Sequence, residues 1–131
     1  MSIGGATYDL FVKTGQNLTC MMDGKCVISL PLGDKIRVRE VVETAGGGAC
    51  NTAIGLSRLG CKASFAGIVG SDQWGEKLLK TLKSEGVNLD SVTVIQNETS
   101  SFSIILSVET GERVILFTLN ENLAERFHTG L

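Results

Sequence analysis

The sequence predicts an α/β domain from which a small sheet projects. Two strand–helix–strand steps in the middle of the chain, β-ribbon patterns on either side of them, and glycines at the turns between elements carry that expectation. The length, 131 residues, suits one domain. Hydrophobic residues make up 43% and charged residues 20%, a balance that excludes a disordered chain. There are 16 glycines but one proline, Pro31, so the glycines are read as serving tight turns and close backbone approach. With five Phe, one Trp and one Tyr, the core must come from Val, Ile, Leu and Ala.

Met1 to Val12 reads as a short strand running into a turn, with Asp9 just past Gly4-Gly5. Asn17 to Glu43 reads as β-ribbon: Val27–Leu30 is a strand, Pro31–Asp34 supplies turn residues, and Ile36–Arg39 alternates apolar and charged. Gly46-Gly47-Gly48-Ala49-Cys50-Asn51 leads into a helix whose apolar side includes Ala49, Ala53, Ile54 and Leu56, stopped by Gly60. Cys61–Val69 reads as a buried strand ending at Gly70. A second helix starts near Ser71-Asp72, either of which can cap it. It presents Trp74, Leu78 and Leu82 at i, i+4 and i+8, and stops at Gly86. Gly75 inside it points to close packing against a neighbour that the sequence does not name. A strand over Val92–Ile95 follows, then a hairpin of Ser101–Val108 and Arg113–Leu119 around Glu109–Glu112. The tail from Asn120 to Leu131 is polar and weakly helical.

Twelve basic and fourteen acidic side chains give a net charge of -2, without the basic stripe a nucleic-acid binder needs. The longest apolar stretch, Phe102 to Val108, falls far short of the ~20 residues that span a bilayer, and the N-terminus lacks the pattern of a signal peptide. Cys20, Cys26, Cys50 and Cys61 form no CxxC pair and His128 is the one histidine, so no metal site is expected. Free thiols suit a cytoplasmic protein.

The glycine run at a helix start is the most informative local feature, because uncovered N–H groups there can donate to an anion or to sugar hydroxyls. A phosphate-binding Walker loop needs Gly-Lys-Ser/Thr, which Gly48-Ala49-Cys50 does not supply. A dinucleotide GxGxxG fingerprint needs glycine where Asn51 stands. A tight strand-to-helix turn without a ligand is the alternative.

The longer pattern resembles a known family. Gly-Gly-Gly-Ala-Cys-Asn-Thr-Ala from Gly46, followed by Gly60 and Gly70, is similar to the N-terminal motif of the ribokinase/PfkB-type carbohydrate and nucleoside kinases. Gly70-Ser71-Asp72-Gln73-Trp74-Gly75-Glu76, Leu82–Val87, the Gly111-Glu112-Arg113 turn and the opening Ile3–Asp9 extend the likeness from about Ile3 to Leu119. The resemblance implies the N-terminal half of a ribokinase-like three-layer α/β/α domain with a projecting β-sheet lid: core about 1–12 and 44–98, lid ribbons about 13–43 and 99–119.

It also implies roles. Asp9 would accept hydrogen bonds from sugar hydroxyls; a turn aspartate is the other reading. Gly47 and Gly48 would let the backbone approach the sugar, and Asn51 would read a hydroxyl with its amide, or cap the helix, or both. Ser103 or Phe102 would face the substrate from the lid, which in the family covers the sugar and often makes a homodimer contact. ATP and Mg2+ are the family's cofactors. The family's second motif, a Gly-Ala-Gly-Asp turn bearing the catalytic base, has no match here; Gly70-Ser71-Asp72 and Gly33-Asp34 lack the flanking glycine. No catalytic or nucleotide-binding residue is therefore assigned, and the chain alone is expected to be inactive. Two functions follow: the substrate-binding and lid portion of an ATP-dependent carbohydrate kinase, acting on a sugar or nucleoside, or a non-catalytic sugar-binding or oligomerisation module.

Overall fold

The computed structural model describes residues 1–120 and Leu123. Eleven elements follow in order: β1 Ser2–Ile3, β2 Thr7–Lys13, β3 Thr19–Met22, β4 Lys25–Ile28, β5 Glu40–Gly46, α1 Gly48–Arg58, β6 Ser64–Gly70, α2 Gln73–Ser84, β7 Asn88–Ile95, β8 Phe102–Ser107 and β9 Arg113–Thr118. The tail expected to be weakly helical lies outside the described residues, Asn120 and Leu123 apart, and so does His128.

The strands form three sheets. A parallel core sheet has the order β1-β6-β7, a second sheet the order β5-β2-β8-β9, and β3-β4 make a separate hairpin. Helices α1 and α2 are the crossovers of the parallel sheet, as parallel strands require. They lie side by side: Ser57 Oγ donates to the Glu85 carbonyl at 2.6 Å, and Arg58 makes a two-pronged pair with the Glu85 carboxylate. The parallel sheet and the two helices make two layers among the described residues, and the second sheet packs against α2.

Burial follows the helical spacing. Leu78 and Leu82 on α2 are fully buried, as are Cys50 and Ala53 on α1 and Phe65 and Val69 on β6. Truncating a leucine of this kind to alanine costs about 2–5 kcal/mol. Asp72, not Ser71, caps α2: its Oδ1 accepts from the Gly75 N–H at 3.0 Å and the Ser100 N–H at 3.1 Å. The neighbour that Gly75 approaches is the end of β6, where a Cβ at position 75 would stand 2.1 Å from the Gly70 carbonyl oxygen.

Three expectations change. The first segment is two strands in two sheets: β1 pairs with β6, whereas β2 pairs with β5 and β8. Residues 7–12, expected in the core, therefore belong to the four-stranded sheet, and Asp9 lies inside a strand rather than in a turn. The alternating Ile36–Arg39 is not a strand. A strand needs a ladder, and the free edge of β2 is taken up only from Arg39, whose N–H donates to the Lys13 carbonyl at 2.7 Å. Finally, the first ribbon strand falls at Lys25–Ile28, paired with Thr19–Met22.

Candidate functional site

The residues singled out in the sequence meet where the four-stranded sheet joins the start of α1. Asp9 stands in the middle of β2, opposite Thr44 of β5 and beside Ser103 of β8. Side chains alternate along a strand, so Asp9 and Ser103 share one face while Tyr8 and Phe102 share the other. The neighbouring Ser103 hydroxyl lowers the Asp9 pKa, but burial outweighs it and holds the carboxyl above its usual range. Ser103 itself is buried.

The glycine run fits around this carboxylate. A Cβ at Gly46 would stand 2.0 Å from Asp9 Oδ2, so glycine there is what lets the carboxylate lie against the backbone. Gly47 has φ 91°, and a Cβ on it would meet the Gly5 carbonyl oxygen at 2.7 Å and the Ala6 Cα at 2.8 Å. It serves as the N-cap of α1, with no side chain capping the helix. Gly48 faces open space. Asn51 is exposed and its side-chain amide has no hydrogen-bond partner among the described residues, so it does not cap α1. Its own N–H donates to the Gly47 carbonyl at 2.9 Å, leaving the earlier N–H groups of the first turn without an intrahelical acceptor. Cys50, buried behind the turn, has its thiol pushed up to about 11, first by burial and then by the charge of Asp9.

This arrangement can bind hydroxyls. A carboxylate, a free amide and uncapped backbone N–H groups over bare glycines supply acceptors and donors in the mixture a polyol needs. Phe102, a candidate to face the substrate, instead stacks on Trp74 on the far face of the sheet, with ring centroids 4.5 Å apart. Trp74 also stacks on Tyr8 at 5.5 Å. Such pairs add about 0.5–1.5 kcal/mol each beyond their area burial. The Tyr8 hydroxyl donates to Glu43 at 2.8 Å, and Lys77 pairs with the same carboxylate while its ammonium lies over both rings. Burial, then the Glu43 carboxylate, push the Tyr8 pKa to about 12. This cluster was not visible in the sequence, where only the helical spacing of Trp74 signalled burial.

Two hollows, of about 470 and 290 Å³, lie farther along the four-stranded sheet around Gly15 and Arg39, and neither is lined by Asp9, Gly48 or Asn51. Among the described residues no three of His, Cys, Asp and Glu come together to hold a metal ion. Asp72 is committed to capping α2. These residues supply no ligand set for Mg2+, and no phosphoryl-transfer step is derived from them.

Residues 17–129 match the family described as pfkB family carbohydrate kinase. The chain belongs to that family. It is 38% identical over 81 residues to a ribokinase of Schizosaccharomyces pombe, covering 59% of this chain and 26% of that protein. Against fructokinase-2 of Solanum habrochaites it is 30% identical over 121 residues, covering 92% and 35%. A solved structure from Agrobacterium tumefaciens, provisionally described as a ribokinase, superimposes with a TM-score of 0.74 at 28% identity, covering 94% of this chain and 36% of that one. The Arabidopsis thaliana ribokinase complexed with ribose and ATP shares the fold, with a TM-score of 0.71 at 23% identity over 88% of this chain and 34% of that one. The chain therefore spans roughly a quarter to a third of these PfkB relatives. Its α/β architecture is that of a partial ribokinase-like domain.

Proposed function

We propose that this chain is the sugar-binding and lid portion of an ATP-dependent carbohydrate kinase. The observation that carries the reading is the convergence of Asp9, beside Ser103, on the Gly46–Gly48 turn that opens α1. Asp9 accepts hydrogen bonds from two sugar hydroxyls and fixes the ring; charge-assisted bonds of this kind are the stronger ones. Gly47 and Gly48 let the ring approach the backbone, and the Asn51 amide bonds a further hydroxyl. The four-stranded sheet covers the bound sugar and limits water as a competing acceptor. The base, the donors for the transferring phosphate and the ATP and Mg2+ sites belong to segments that the longer relatives carry beyond the matched region. The relatives' names make ribose and fructose the first sugars to test.

Calorimetric titration of the chain with each sugar tests this reading. Saturable binding that Asp9→Asn weakens at least tenfold is expected, with no sugar phosphorylation from ATP by the chain alone. Turnover by the purified chain, or binding indifferent to Asp9, contradicts it.

A second reading, an oligomerising module, is favoured by β9. Ile115 and Phe117 lie on the Asp9 face of this edge strand yet remain 51% and 64% exposed. We propose that a second copy covers them, making the chain a homodimer through the lid sheet. Sedimentation that finds a monomer at all concentrations contradicts this. No helix among the described residues is long and apolar enough to cross a membrane; with its four cysteines free, the protein is proposed to work in the reducing cytoplasm.

A further inference from the structure

We propose that Trp74 is a positioning residue for the sugar site: held between the rings of Tyr8 and Phe102, it sets β2 and β8 at the height where Asp9 and Ser103 meet. The inference rests on the sugar-site reading above and adds to it a residue that never touches the sugar.

Tyr8 and Phe102 are facing partners in the parallel β2–β8 ladder, and each immediately precedes a site residue, Asp9 and Ser103. Trp74 stacks on both rings, at 5.5 and 4.5 Å and with interplanar angles of 27° and 22°. One indole on α2 therefore bears on both strands of the lid at the residues next to the site. The rest of the contact is polar and points the same way. Lys77, one helical turn along α2, bonds the Glu43 carboxylate that also accepts from Tyr8, so β5 is tied to the same helix face. At the other end, Asp72 of the α2 cap accepts from Ser100, just ahead of β8. The α2 face thus grips β2, β5 and β8 from behind, while the opposite face of those strands carries Asp9, Thr44 and Ser103. A tilt of the sheet on α2 moves the carboxylate relative to Gly48 and Asn51, which stand on α1.

Trp74 is the only tryptophan, so its emission reports on this contact directly. The test uses the whole chain, with D-ribose and D-fructose as probes, and compares Trp74→Phe, Trp74→Leu and Asp9→Asn. Trp74→Phe keeps a ring in the stack and is expected to bind the preferred sugar within about threefold of the parent. Trp74→Leu keeps an apolar side chain but no ring and is expected to bind at least tenfold more weakly, at a temperature where circular dichroism finds it folded. The parent's tryptophan emission is expected to change saturably with the same midpoint as the calorimetric binding, and not to change in Asp9→Asn. Asp9-dependent binding that Trp74→Leu retains at the parent's affinity overturns the positioning role alone. Absence of sugar binding by the parent overturns the site reading, and this inference with it.

Discussion

The Asp9 carboxylate lies against the α-carbon of Gly46, so closely that a Cβ at position 46 would stand 2.0 Å from Oδ2 and 2.9 Å from Cγ. The obstructing atoms are the end of a side chain rather than backbone, so Gly46→Ala should displace Asp9 more than it unfolds the chain. A stability loss of about 1–3 kcal/mol is expected from overpacking. Sugar affinity, measured by calorimetry, should fall at least tenfold.

Asp9→Asn separates function from stability in the opposite sense. Burial holds the Asp9 pKa above its ordinary value, so the folded chain binds that proton more tightly than the unfolded chain. The contribution of Asp9 to stability therefore falls as pH rises from the ordinary aspartate value through the raised folded value, and its ionised form is a cost at neutral pH. The thermal midpoint of Asp9→Asn at pH 7 should be no lower than the parent's, while sugar binding is lost. In the parent, sugar affinity should weaken as pH falls through the raised Asp9 pKa, at a higher pH than an ordinary aspartate of about 3.9 would give.

Gly47 and Gly48 should behave differently although they are neighbours. Gly47→Ala forces a side chain onto φ 91° and against the backbone of residues 5 and 6, an expected loss of about 2–4 kcal/mol in chemical denaturation. Gly48→Ala meets nothing within 4 Å and should stay within about 1 kcal/mol of the parent. Its methyl group would nevertheless occupy the sugar's approach to α1, and a tenfold loss of affinity is expected.

Thiol reactivity checks the packing behind the site. Cys20, Cys26 and Cys61 are exposed, whereas Cys50 is buried with its thiol pushed up to about 11. A disulfide reagent at pH 8 should titrate the three exposed thiols quickly and reach Cys50 only on unfolding. Fast reaction of all four would place Cys50 elsewhere than behind Asp9.

The helices were legible because their signals are local. The spacing of Trp74, Leu78 and Leu82 marks the buried face of α2, and the glycines bracket α1. The hairpin of β8 and β9 was legible for the same reason, its turn residues lying between two apolar runs. What was hidden depends on distant partners. Whether residues 7–12 join the parallel sheet or the four-stranded sheet is decided by β5 and β8, far along the chain. The alternation at Ile36–Arg39 looks like a strand but has no ladder to join. The proposed front of the site, Asp9 with the glycines and Asn51, came from the family resemblance of these segments. Its back, Trp74 between Tyr8 and Phe102, was not, since the pattern that buries a tryptophan does not say which rings it meets.

The most direct test of the account is calorimetric titration of the chain with D-ribose and D-fructose beside the same titration of Asp9→Asn. Saturable binding of at least one sugar, lost in a variant that melts no earlier than the parent, is the result expected. Absence of binding to either sugar, or equal binding by both proteins, would contradict the assignment of this face of the lid as a sugar site.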